Sequence, residues 1–241
     1  MRNSSDQGVK IVSRVKHYPL RIHQGWKMVR NFFMDCDPEM VSPEDTVMWT
    51  NIFMQDILYM EYDDKYGLDL GWGPEADPKG EFILDLVTLE DFEPLLTIET
   101  RNLHEVADAI DKITWGVSQG ILPSSDPMFS LEQITPPFRL QALKVYHGWI
   151  FERNRFIEMD WKTADPQEMR EYLTDDLLLL KHVFDNSMQI HLGWEPAGDP
   201  NGQFVLEKFK PADKKRPHRV YSTRSVEEVV DWIEKACIGE M

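Results

Sequence analysis

Two short acidic pairs stand out first: Asp35 with Asp37, and Glu158 with Asp160. Carboxylates two residues apart on a β-strand point to the same face. There they would hold Mg²⁺ or Ca²⁺, or meet a basic surface. Without a histidine or a third carboxylate nearby, such a pair is more often a solvated strand face. Arg101 and Arg224 both follow threonine and precede Asn102 or Ser225. An arginine there either clamps an anion at a helix N-terminus or pairs with one of the chain's own carboxylates. The seven histidines (His17, His23, His104, His147, His182, His191 and His218) recur at no regular interval. Phosphate-binding glycine loops, zinc-protease helices and nucleophile elbows are all missing. The expectation is a protein with no catalytic residues, no metal and no cofactor.

These residues are repeated because the chain is. Gly71–Phe82 reads GWGPEADPKGEF and Gly193–Phe204 reads GWEPAGDPNGQF. Seven positions agree without a gap: Gly71, Trp72, Pro74, Asp77, Pro78, Gly80 and Phe82 match Gly193, Trp194, Pro196, Asp199, Pro200, Gly202 and Phe204. Asp-Pro followed by Gly is strong turn chemistry, since proline restricts φ, aspartate bonds the backbone ahead and glycine accepts positive φ. The stretch therefore reads as a hairpin loop with Trp and Phe packed at its ends. Gly25-Trp26, Asn31, Phe33 and Asp37 are answered by Gly148-Trp149, Asn154, Phe156 and Asp160. Such spacing over about 100 residues marks a tandem duplication.

The elements that would position these residues follow in order. A basic lead-in covers 1–16, the first repeat 17–116, a Pro/Ser/Gly-rich linker 117–136 and the second repeat 137–241. A strand is expected over Val29–Asp35. A helix capped by Ser42-Pro43 should carry the stripe Trp49, Ile52, Phe53, Ile57 and Met60, broken by Asp63–Gly67. Leu68–Trp72 and Glu81–Thr88 are the hairpin arms, and Pro94–Thr100 is a further strand. Asn102 with Glu105 forms a capping box before a short helix with Val106, Ile110 and Ile113. The second copy repeats this through Asp165-Pro166, the stripe Met169, Leu173, Leu177, Leu180 and Phe184, and the Ser225/Glu228 cap. The expected fold class is α+β, two tandem repeats of roughly β-α-β-β-β-α, each a mostly antiparallel sheet with helices on one face.

Charge narrows the partners. The net charge of −16 is uneven: residues 1–30 sum to +6, residues 31–120 to −17 and residues 121–241 to −5. Such a field repels nucleic acid and anionic membranes and steers basic partners inward. No run approaches the ~18 apolar residues of a membrane span, and the N-terminus has no apolar signal region. Cys36 and Cys237 form no metal-like spacing, which fits a reduced, cytoplasmic protein. Partner contacts are expected at the loop clusters Glu61, Asp63, Asp64 and Glu90, Asp91, Glu93, and at Asp35 and Asp37.

HxGW or HGW, then Asn and Phe, a helix, GWxPxxDPxGxF and a Thr-Arg-capped helix together resemble small immunity proteins found beside polymorphic toxins and contact-dependent inhibition systems in bacteria. The resemblance covers nearly all of both copies. It implies tight binding of one cognate toxin C-terminal domain, which is thereby blocked, with no nucleic-acid or membrane partner. A monomer with an internal pseudo-twofold is the expected form. Two other readings stay open. One is a small metal- or ligand-binding enzyme with Asp35, Asp37, Glu158 and Asp160 around a cation between the repeats. The other is an adaptor that only self-associates.

Overall fold

The computed structural model describes residues 15–124, 126, 128–161, 163–184, 188–209 and 219–240. Most of the basic lead-in, and His218, lie outside them. The chain is α+β: among the described residues ten strands form one antiparallel sheet, joined by four α-helices and two short 3-10 turns.

In chain order the elements are β1 (Trp26–Asn31), α1 (Thr46–Ile52), β2 (Leu58–Tyr62), β3 (Tyr66–Gly73), β4 (Glu81–Thr88), β5 (Pro94–Thr100) and α2 (Leu103–Ser118). Then come β6 (Trp149–Asn154), α3 (Pro166–Tyr172), β7 (Leu178–His182), β8 (Gln189–Glu195), β9 (Gln203–Phe209), β10 (Arg219–Thr223) and α4 (Val226–Cys237). The spatial order is β10-β9-β8-β7-β6-β1-β2-β3-β4-β5, so the two halves meet at β6 and β1.

Period-2 alternation divides the sheet faces. Met28 lies opposite Met60, Met60 opposite Leu68, Leu68 opposite Leu86, and Trp72 opposite Phe82. All of these are buried, and they belong to one hydrophobic cluster that also takes in Trp49 of α1, Ile110 of α2, Met169 of α3 and Ile233 of α4. The helices thus cover the apolar face. The opposite face carries Glu61, Asp69, Asp85 and Glu99 in the first half, and Lys181, His191 and Glu207 in the second.

Several expected boundaries are corrected. The stripe Trp49–Met60 is not one helix: α1 ends at Ile52, and Leu58–Tyr62 forms the additional strand β2. The second stripe divides in the same way, with Leu178 and Leu180 in β7 and Phe184 exposed beyond it. Each half therefore runs β-α-β-β-β-β-α rather than β-α-β-β-β-α. Residues at 3–4 spacing along a short apolar run also satisfy the alternation of a buried strand. Pairing of β2 between β1 and β3 decides the matter. Asp63–Gly67 is consequently not a helix break: Asp63–Lys65 form the β2–β3 turn, with Asp63 and Asp64 both at φ 51°, and Tyr66 and Gly67 begin β3.

The N-cap of α1 is Asp45, which accepts from Met48 N at 3.1 Å, rather than Ser42. Asp165, Asn102 and Ser225 are N-caps as expected, but of these three only Asp165 forms a capping box: Glu105 and Glu228 instead accept from the Thr100 and Thr223 hydroxyls, each at 2.5 Å. The first strand lies at Trp26–Asn31, not Val29–Asp35, because Asn31 turns its side chain away to accept from Phe33 N (3.0 Å) and donate to Val145 O (2.8 Å). α2 continues through Ser118, past the 117 boundary, and the linker contains a 3-10 turn at Leu131–Gln133.

The join between the halves is short and made in both directions. β1 and β6 pair at Lys27↔Ile150 and Met28↔Trp149. Gly25 N donates to Phe151 O and Gly148 N to Met28 O, both at 2.7 Å. These glycines sit at φ +91° and +89°, a region side chains rarely adopt. Leu20 and Leu143 exchange both backbone bonds, at 3.0 and 2.9 Å. Asn31 reaches Val145 O in the other half, and Asn154 reaches Ile22 O at 2.9 Å. Both asparagines are buried, so their loss strands a carbonyl and an N–H away from water. Asn31→Ala and Asn154→Ala should each lower the unfolding free energy by about 2 kcal/mol, measured by urea denaturation, and a loss within error for both would refute the clasp.

Candidate functional site: an unbalanced acidic cleft

The hairpin signature is structural. Trp72 and Phe82 meet edge to face at 4.9 Å, as do Trp194 and Phe204. Each indole closes its loop by donating to Asp77 O (2.9 Å) or Asp199 O (2.8 Å). A Cβ on Gly80 or Gly202 would fall 2.4 or 2.3 Å from that indole nitrogen. A Cβ on Gly71 or Gly193 would fall 2.1 or 2.4 Å from the backbone oxygen of Gln55 or Asp175, where the segment after the helix crosses the sheet. Pro74 and Pro196 both follow cis peptide bonds, and Asp77 and Asp199 each accept from the amide two residues ahead. Pro78 and Pro200 supply the restricted φ within those turns.

The two arginines hold these loops. Arg101 pairs with Glu39 (2.7 Å), donates to Gly80 O and stands 5.4 Å over the Trp72 ring. Arg224 donates to Pro200 O (2.8 Å) and lies 4.7 Å over Trp161.

The acidic pairs are not strand pairs. Asp35 and Asp37 lie after β1, and Asp37 caps the 3-10 turn Pro38–Met40. Glu158 sits between Arg21 and Arg139, and Asp160 accepts from Thr163. Asp35 and Asp37 line one cleft with Arg101, while Glu158 and Asp160 line another with Arg224. They do not surround one cation, and among the described residues no group of His, Cys, Asp and Glu is placed to hold a metal.

The other candidate carboxylates gather at one end of the first half. Asp63 and Asp64 form the β2–β3 turn, and Glu90, Asp91 and Glu93 the β4–β5 turn. The two turns are tied by Leu89 N to Lys65 O at 2.8 Å. Glu61 lies beside them, paired with Lys27 at 2.7 Å, and Lys65 pairs with Asp63 at 2.5 Å. Phe92 stands among them 62% exposed, at φ 57°. Asp35 and Asp37 lie at the opposite end of the sheet, by the β3–β4 loop and Arg101.

Sequence reasoning missed the residues on the open sheet face. In the second half His191 of β8 lies between Asp176 (3.4 Å) and Glu207 (3.5 Å), with Arg153 on Asp176. In the first half the corresponding strands carry Asp69 and Asp85, directly paired, with Arg30 on Asp56 at 2.7 Å. An aspartate thus stands where the other half has a histidine. Asp69 Oδ1 is shielded from solvent and has no hydrogen-bond partner among the described residues. Burial, and then the nearby Asp56 charge, push the Asp69 carboxyl above its ordinary range. A cleft of about 370 Å³ opens beside it, lined by Gln55, Asp69, Gly73, Glu75, Ile83 and Asp85, with no cationic side chain. Aligning the hairpin arms LDLGW with IHLGW, and ILDL with VLEK, would have exposed this exchange.

A second cavity, about 390 Å³, lies between the halves. Its walls come from the last turn of α2 (Trp115, Gln119), the chain before β1 (His23), the end of β6 (Arg155), the end of α3 (Glu171, Tyr172) and Phe138. His23 is buried and bonded to Asp111 at 2.8 Å. Neither cysteine is poised as a nucleophile: burial pushes the Cys36 thiol up to about 11, and raises that of Cys237 as well.

No protein-family model matches the chain, and no curated protein or solved structure is significantly similar to it.

Because the native pKa of Asp69 is raised, folding binds its proton more tightly than the unfolded chain does. The stabilising protonated form prevails at low pH and is lost as pH rises through the native value, starting above the unfolded value of about 4. Asp69→Asn should therefore be more stable than the parent at neutral pH, by roughly 1 kcal/mol. The difference should shrink toward pH 4. Denaturation curves across that range check it, and a pH-independent difference would refute the assignment.

Proposed function

We propose that this chain is an immunity protein, built as a duplicated unit with an internal pseudo-twofold. It captures the basic, nuclease-type C-terminal domain of a bacterial toxin and covers its active or substrate-binding face. On this reading it is a cytoplasmic monomer that binds rather than catalyses. The observation carrying the proposal is the shielded Asp69 directly opposite Asp85, where the other half sets His191 opposite Glu207. Arg30 is engaged by Asp56, and the open cleft beside Asp69 and Asp85 is lined by no cationic side chain. A lysine or arginine from a partner would provide one, and would relieve the shielded Asp69 oxygen.

The surrounding field supports the same partner. Residues 31–120 carry −17, and the turns holding Asp63, Asp64, Glu90, Asp91 and Glu93 extend that potential along one end of the sheet. Such a surface speeds encounter with a basic domain. Phe92, exposed among these carboxylates, offers the apolar anchor that charged rims alone lack. The helices covering the other face leave the sheet's polar face open for a flat, charged contact.

The test is complex formation with the toxin domain encoded immediately upstream. The expected result is a complex whose association slows as salt rises. Asp69→His, which copies the second half, should keep the fold and weaken binding by about 100-fold, as loss of a buried charge partner does. Absence of any complex at low salt sinks the proposal. A complex indifferent to Asp69→His would move the contact off this cleft.

A further inference from the structure

α2 runs one turn further than α4, and that added turn helps wall the cavity between the halves. The Trp26 indole donates to Thr114 O and the Trp149 indole to Cys237 O. These contacts place Thr114 and Cys237 at corresponding points. α4 ends there, whereas α2 continues through Ser118 and brings Trp115 to the cavity. His23 forms part of the wall, tied to Asp111 and packed 5.2 Å from the Trp115 ring. Phe138 also packs on Trp115, edge to face at 6.2 Å. The wall is therefore aromatic, with Trp115 packed against two neighbouring rings.

The polar groups are divided. Asn154 and Ser118 spend their side chains on the protein's own backbone. Arg155, Glu171 and the Tyr172 hydroxyl make no side-chain hydrogen bond or ion pair among the described residues. Arg155 and Glu171 line the same cavity without pairing with each other. A purely anionic ligand would meet Glu171 and the −16 field, and a purely cationic one would meet Arg155. A molecule bearing both charges satisfies both residues.

We propose that this cavity binds a small zwitterion with an aromatic body, the chemistry of a free aromatic α-amino acid. Arg155 takes its carboxylate, Glu171 its ammonium group, and Trp115 and Phe138 its ring. A cavity of about 390 Å³ lies at the small end of the range for ligand sites, roughly 300–1,000 Å³. Aromatic walls with a few convergent polar groups are the usual make-up of such sites. This site is separate from the acidic cleft on the open sheet face, so neither proposal depends on the other.

Calorimetry on the full chain with phenylalanine, tyrosine and tryptophan tests it, beside phenethylamine and 3-phenylpropionate as single-charge analogues. At least one amino acid should bind with Kd below about 1 mM, and each analogue at least ~10-fold more weakly. Arg155→Ala should weaken the amino acid by a similar factor and leave phenethylamine unaffected. Glu171→Gln should do the same with 3-phenylpropionate as the unaffected ligand. Both substituted residues are exposed, so thermal melts should match the parent. The proposal is overturned if no amino acid binds at about 10 mM, if an analogue binds as well as its parent, or if neither substitution changes affinity.

Discussion

The short join between β1 and β6 is the contact on which the architecture depends. Without it each half has an unpaired edge strand at β1 or β6, a ready template for association with other chains. With it, ten strands share one sheet and the buried side chains form one cluster. The paired ladder covers only two residue pairs, too few to explain the join alone. Backbone bonds from Gly25 and Gly148, the Leu20–Leu143 exchange and the crossed Asn31 and Asn154 side chains complete it. Each side-chain bond satisfies a buried carbonyl that would otherwise be orphaned.

The same join produces the two places where the halves differ most. It lays the open sheet face out as one surface, so the Asp69–Asp85 pair and the His191–Glu207 pair lie on the same face of one sheet. It also sets the end of α2 against β6 and α3, which creates a cavity neither half could form alone. One halved pattern thus carries a charge deficit on one side and an aromatic pocket on the other. Both arise where the amino acids depart from the repeated pattern, while the repeated residues themselves close loops and fill the core.

The signature GWxPxxDPxGxF illustrates that division. Its seven shared positions are each accounted for by packing or turn geometry: the Trp–Phe edge contact, the indole bond to the Asp carbonyl, and glycines with no room for a Cβ. Arg101 and Arg224, read as possible anion clamps, are occupied by the same loops' carbonyls and by the faces of tryptophan rings. An arginine committed in this way stiffens a loop and leaves little guanidinium for a ligand.

By itself the sequence determined the local chemistry. The hairpin arms, β5, the capped helices after Asn102 and Ser225 and the α+β class were legible, since turn residues, caps and apolar spacing act within a few residues of each other. Tertiary structure decided what depends on distant partners. Leu58–Tyr62 and Leu178–His182 became strands because neighbouring strands offered hydrogen bonds on both sides, which a spacing of three or four cannot register. Asp35 and Asp37 became a loop residue and a turn cap because Asn31 ends its strand early to reach across the join. The charge imbalance at Asp69 and the cavity beside His23 were invisible in one dimension, because the groups that compensate or confront each other come from segments brought together only by the sheet.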